Sequence, residues 1–73
     1  MKVIINGVER NLPIRMTYDD LVKFSYFPKM PKSTDGFTIT YQHPKGDGGS
    51  ITKGQVLSVM EGTIINVHNT SNS

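Results

Sequence analysis

Lys2-Val3-Ile4-Ile5 is a largely β-branched run that stops at Asn6-Gly7, and a second extended stretch starts at once with Val8. A two-residue connection in which both residues take positive φ is the type I′ hairpin turn, and Asn-Gly meets that requirement with the least strain. The chain therefore opens with two antiparallel strands, which excludes an all-helical fold. The returning strand is expected over Val8-Glu9-Arg10-Asn11-Leu12-Pro13-Ile14-Arg15, with Leu12 and Ile14 on one face. Pro13 has no ladder donor, so that strand belongs at a sheet edge.

At Thr17 the pattern changes period. Thr17 is a capping residue with Asp20 three positions on, and Asp19 and Asp20 favour the positive end of a helix dipole. Tyr18, Leu21, Val22 and Ser25 follow at helical spacing with Phe24 flanking them, and Pro28 forbids continuation. One helix of two to three turns is predicted over Tyr18 to Tyr26. The stretch from Pro28 to Gly36 has no periodicity and reads as a loop. Phe37-Thr38-Ile39-Thr40-Tyr41 then alternates large apolar residues with threonine, the clearest half-buried strand in the chain. His43 to Gly49 reads as a Gly-rich loop, Ser50-Ile51-Thr52 and Val56-Leu57-Ser58-Val59 as short strands, and Thr63 to His68 as the last strand.

Seventy-three residues make one small domain with no room for a separate catalytic module. With no cysteine, the chain lacks disulfide staples, thiolate metal sites and thiol nucleophiles, and a cytoplasmic compartment is the expectation. A net charge of +2 is too small for a nucleic-acid footprint. Val3-Ile4-Ile5 is too short for a signal-peptide core or a membrane span, so no membrane partner is expected. The economical solution is a single helix on one mixed sheet of four to five strands. Because the last strand is apolar on both faces, it is expected at the centre, beside the first. This is the β-grasp arrangement, an α+β fold, expected over residues 1–68 with a flexible tail over 69–73.

The residues Ile5-Asn6-Gly7, Thr17-Tyr18-Asp19-Asp20-Leu21-Val22, Phe37-Thr38-Ile39-Thr40-Tyr41, Gly49-Ser50-Ile51-Thr52-Lys53-Gly54-Gln55 and Met60-Glu61-Gly62-Thr63-Ile64-Ile65-Asn66-Val67 carry a more specific likeness. Taken in order over Val3 to Ser73, the chain resembles the bacterial multiubiquitin-type ubiquitin-like domain. Members of that family are modifiers encoded beside an activating enzyme, a conjugating-type enzyme and a processing protease. The resemblance implies a monomeric protein tag that is joined to target proteins through its C-terminal carboxylate, with phage defence as one setting. ATP would be used by the activating enzyme, so no cofactor is expected in the chain itself. The family often carries tandem copies and eukaryotic ubiquitin ends in Gly-Gly, whereas this chain is a single copy ending Asn69-Thr70-Ser71-Asn72-Ser73. Those five residues form the expected conjugation tail; the reacting terminus is Ser73, or Asn72 if a protease removes Ser73.

Other motifs have plainer readings. Gly46-Asp47-Gly48-Gly49-Ser50 lacks the Lys-Ser/Thr pair of a phosphate loop and precedes no helix. His43 and His68 lie far apart without cysteine, so no metal site is expected. Ser50, Ser58, Ser71 and Ser73 have no placed acid–base partner, so no catalytic residue and no enzyme activity are expected. Pro28-Lys29-Met30-Pro31 ends the helix, the scattered lysines serve solubility, and Asn69-Thr70-Ser71 matches a glycosylation sequon by chance. Alternation sends Ile4, Leu12, Ile14, Ile39, Ile65 and Val67 or their neighbours inward. Some of Val8, Tyr41, Ile64 and His68 are left on the open sheet face, where a partner enzyme could dock. Two function classes follow: a ubiquitin-like modifier, or a non-covalent adaptor using the same fold. A sulfur carrier is disfavoured because such carriers end in Gly-Gly.

Overall fold

A computed structural model describes residues 1–27, 29 and 36–69. The elements are β1 (Lys2–Ile5), β2 (Val8–Asn11), β3 (Arg15–Thr17), α1 (Tyr18–Tyr26), β4 (Phe37–Gln42), β5 (Gly48–Ile51), β6 (Val56–Ser58) and β7 (Ile64–Asn69). Five strands form a mixed sheet in the order β2-β1-β7-β4-β5, while β3 and β6 form a separate antiparallel pair. The result is a small α+β domain with one helix against one face of the five-stranded sheet. As expected, β7 is central and lies beside β1, to which it runs parallel, although its Ile64, Asn66 and His68 side is left open.

The opening hairpin forms at the expected turn, with Asn6 at φ 50° and Gly7 at φ 83°. Asn6 does more than turn the chain. Its backbone N–H donates to Ile65 O (2.9 Å), its side-chain amide donates to Val67 O (3.2 Å), and its Oδ1 accepts from the Val67 N–H (2.8 Å). The side chain thereby extends the parallel β1–β7 ladder by one rung past the point where β1 has already turned away. At the other end, Ile4 N–H donates to Thr63 O and Gly62 N–H to Lys2 O.

Helix α1 occupies the expected residues. Thr17 caps it by accepting from the Asp20 N–H at 3.1 Å, and Tyr18, Leu21 and Val22 are buried against the sheet. The Tyr18 hydroxyl donates to Phe37 O (2.7 Å) and accepts from the Phe37 N–H (3.1 Å), which pins the start of the helix to the start of β4. The core comprises Val3, Ile5, Leu12, Met16, Tyr18, Leu21, Val22, Ile39, Ile51, Leu57, Val59, Ile65 and Val67.

Four expectations need correction. The returning strand does not run on to Arg15: it stops at Asn11, and the chain crosses Pro13 into β3, which pairs with β6. A proline that cannot serve a ladder marks the place where the chain changes sheets. Ile14 consequently is 63% exposed, and on β1 it is Val3 and Ile5, not Ile4, that face the core. The Gly-rich segment is not all loop, since Gly48–Ile51 forms β5 against β4. Glycine is required at position 48 by a close approach, since a Cβ there would meet Tyr41 O at 2.8 Å, while one on Gly49 would crowd the Tyr41 hydroxyl at 3.2 Å. Finally, Asn69 is the last residue of β7, opposite Phe37, and not the first residue of a tail. Pro28, Met30 to Asp35 and Thr70 to Ser73 lie outside the described residues, with the loop and tail readings that fall on them.

Two stability measurements test this architecture. Leu21 is fully buried, so Leu21→Ala should lower the unfolding free energy by about 2–5 kcal/mol. Asn6→Gly keeps the turn geometry but removes both side-chain bonds to Val67, and should cost about 1–3 kcal/mol in a urea titration. An unchanged midpoint for Asn6→Gly would show that the side chain adds nothing to the β1–β7 ladder.

Candidate functional site

Strand register settles which side chains share a surface, because residues directly opposite in neighbouring strands point the same way. Ile65 lies opposite Tyr41 and beside Ile5, and Ile5 lies opposite Val8. Val8 and Tyr41 therefore project on the helix side of the sheet. Ile64 lies beside Ile4 and opposite Gln42, and His68 lies opposite Thr38, so these residues project on the open side. The four residues expected to form one partner face are split between two.

The open side has a definite composition. One row runs Glu9, Ile4, Ile64, Gln42 across four strands; a second places Asn66 against Thr40 and Ser50. Ile4 (38% exposed) and Ile64 (43%) make a two-residue apolar spot framed by polar side chains. Lys2 pairs with Glu9 at 3.8 Å on the same side. Ile4 was hidden from sequence reasoning because three β-branched residues in succession carry no phase; only the register against β7 assigns it outward.

The helix side holds one of the two histidines, His43, beside a hydroxyl. His43 Nδ1 is hydrogen-bonded to Thr63 Oγ1 at 2.8 Å, and Thr63 Oγ1 also accepts from the Met60 N–H at 3.2 Å. The Tyr41 ring lies 5.0 Å from that of His43. A hydroxyl beside an imidazole has the composition of a nucleophile and base, but Thr63 is completely buried and no substrate atom can reach it. The pair ties the β4–β5 turn to the start of β7. His68 lies on the other side of the sheet. Among the described residues no group of three or more His, Asp or Glu side chains is gathered as metal ligands would be. Nor, among them, is any helix long and apolar enough to cross a membrane.

A concavity that the periodicity did not announce lies at the sheet edge. Arg10 of β2, Met16 of β3 and Asp20, Lys23, Phe24 and Phe27 of or next to α1 line a groove of about 530 Å³. Its helix residues recur at the spacing 20, 23, 24, 27, a second stripe adjacent to the core stripe of Tyr18, Leu21 and Val22. That spacing was the available signal. It was masked because a mixed stripe of two aromatics and two charges resembles an ordinary solvated face.

The Asn69 end of β7 completes the inventory of expected site residues. Asn69 stands opposite Phe37, whose ring packs edge-on against Tyr26 at 5.4 Å between centroids. The other expected conjugation residues, Thr70, Ser71, Asn72 and Ser73, follow it outside the described residues. Comparison with protein families, curated proteins and solved structures finds no match to this chain.

Thr63 and Ile64 are neighbours with opposite surroundings, and substitution should separate them. Thr63→Val leaves the Met60 N–H and His43 without their shared partner and should cost about 1–3 kcal/mol. Ile64→Thr keeps a β-branched residue on the open side and should cost no more than about 1 kcal/mol. Equal losses in thermal or urea unfolding would contradict the assigned faces.

Proposed function

We propose that this chain is a ubiquitin-like protein modifier with a β-grasp fold, activated at its C-terminal carboxylate and joined to other proteins. The observation that carries the reading is the sheet order β2-β1-β7-β4-β5, with the first and last strands parallel at its centre and one helix across one face. The likeness of Ile5-Asn6-Gly7, Thr17 to Val22 and Met60 to Val67 to a bacterial multiubiquitin-type domain supports the same conclusion. β7 is held in the central ladder as far as Asn69, and this reading assigns the reacting terminus to Thr70 to Ser73 beyond it.

The chemistry belongs to the partners. A carboxylate oxygen of the terminus attacks the α-phosphorus of ATP, forming an acyl adenylate and releasing pyrophosphate. A thiol, hydroxyl or amine of the partner then attacks the acyl carbon, expels AMP and gives up its proton. This chain supplies the carboxylate and a folded body by which the activating enzyme, conjugating-type enzyme and protease recognise it. The exposed Ile4–Ile64 pair also suits a non-covalent adaptor, which would bind a partner and form no such adduct.

Intact mass decides between the two. The full chain, mixed with ATP and a ubiquitin-activating-type adenylating enzyme, should form an ATP-dependent adduct. Deleting Thr70 to Ser73 should abolish the adduct and leave the unfolding midpoint nearly unchanged, since β7 and its partners remain. An adduct that survives the deletion, or none from the intact chain, replaces the modifier with the adaptor.

A further inference from the structure

Asn6 precedes Gly7 at the tip of the opening hairpin, and that dipeptide has a chemistry of its own. The backbone nitrogen that follows an asparagine can attack the side-chain carbonyl carbon, and glycine offers no side chain to obstruct the approach. Here both residues are exposed, and a Cβ built on Gly7 would meet nothing within 4 Å. Solvent therefore reaches the reacting atoms. The side chain itself is held: Oδ1 accepts from the Val67 N–H at 2.8 Å and Nδ2 donates to Val67 O at 3.2 Å. Bringing Cγ onto the Gly7 nitrogen requires rotation of the side chain and of the Asn6 backbone, so both bonds to Val67 have to open first.

Val67 lies past the last strand pairing of β7 with β1, which is that of Ile65 with Ile5. On its other side it stands opposite Ile39 of β4. Among the described residues the Asn6 side chain is the contact that holds the Val67 backbone on the β1 side. A strand end kept by one such rung opens more readily than the body of a sheet, which separates only with global unfolding. The reactivity of Asn6 is thereby coupled to the position of the end of β7.

We propose that Asn6 is a self-modification site gated by Val67: when the end of β7 lifts, the freed side chain cyclises with Gly7, and its conversion to an acid keeps the rung from closing again. The Gly7 nitrogen forms a bond to Asn6 Cγ, the Cγ–Nδ2 bond breaks, and the Gly7 amide proton leaves with the amine as ammonia. Water then opens the cyclic imide, its oxygen forming the new carboxyl group and one of its protons returning to the Gly7 nitrogen. Cleavage of the Cγ–N bond gives aspartate, and cleavage of the backbone C–N bond gives isoaspartate. A carboxylate only accepts hydrogen bonds, so where Nδ2 donated to Val67 O an anionic oxygen now faces a carbonyl oxygen. Isoaspartate in addition lengthens the two-residue turn by a methylene. The change runs one way, because the ammonia is lost to solvent. It does not depend on the modifier reading and survives if that reading fails.

Peptide mapping by mass gives the conversion rate at Asn6 in the full chain in mildly alkaline buffer, in the same chain unfolded in urea, and in an end-capped peptide of Val3 to Arg10. The folded chain should convert at least about tenfold more slowly than the other two, the factor expected when two side-chain hydrogen bonds of ordinary net strength must open first. At urea concentrations below the unfolding transition, the rate should rise with hydrogen exchange of the Val67 amide and not with that of buried Val22 in α1. Asn6→Asp reproduces one product, and in the folded variant the Val67 amide should exchange at least about tenfold faster than in the parent chain. A folded chain that converts as fast as the peptide, or no conversion at Asn6 in the unfolded chain, would overturn the proposal. So would a rate that follows Val22 exchange, since global unfolding would then be the gate. Unchanged Val67 exchange in Asn6→Asp would show that the acid does not hold the rung open, and would overturn it equally.

Discussion

The parallel pairing of β1 with β7 is the constraint on which the rest of the fold depends. It joins segments about sixty residues apart, so the loop-closure entropy must be met before any of its hydrogen bonds form. Everything between the two strands has to fit into that closure: the hairpin places β2 on one flank, and β4 and β5 are placed on the other by pairing with β7. Asn6 reinforces the junction at the one residue where the backbone alone cannot. Having turned into the left-handed region, it substitutes its side-chain amide for the missing strand residue and satisfies both polar groups of Val67.

Helix α1 closes the other side of the core, and its position is tied to the same centre. Leu21 and Val22 cover Ile65 and its neighbours, and the Tyr18 hydroxyl locks the helix start to Phe37, the first residue of the strand that pairs with β7. The small β3–β6 sheet bounds the core at one end through Met16 and Leu57. The groove under Arg10 runs along the side of the helix that faces β2, lined by Asp20, Lys23, Phe24 and Phe27.

These arrangements give the molecule three chemically different surfaces. The open face of the sheet is polar around the Ile4–Ile64 spot. The groove beside β2 is apolar and basic. The Asn69 end of β7 lies opposite Phe37, which packs against Tyr26. Separate surfaces on one small body let one contact persist while another changes.

Local chemistry was enough to read the Asn6-Gly7 turn, the Thr17 cap, the limits of α1 and the alternation of Phe37 to Tyr41, because turn dihedrals, capping and side-chain period act over a few residues. The central place of β7 was legible in its Val/Ile content, although only its Ile65 and Val67 side is covered and Ile64 stays 43% exposed on the other. The outward face of Ile4, the departure of β3 to a second sheet, the strand character of Gly48 and Gly49 and the separation of Val8 from Ile64 were decided by tertiary structure. Each depends on which strand lies alongside, and a run such as Val3-Ile4-Ile5 reads the same in either phase until a partner strand chooses one. The groove has the same origin: Arg10 and Phe24 meet only because a hairpin and a helix, each locally specified, pack at a distance that neither specifies.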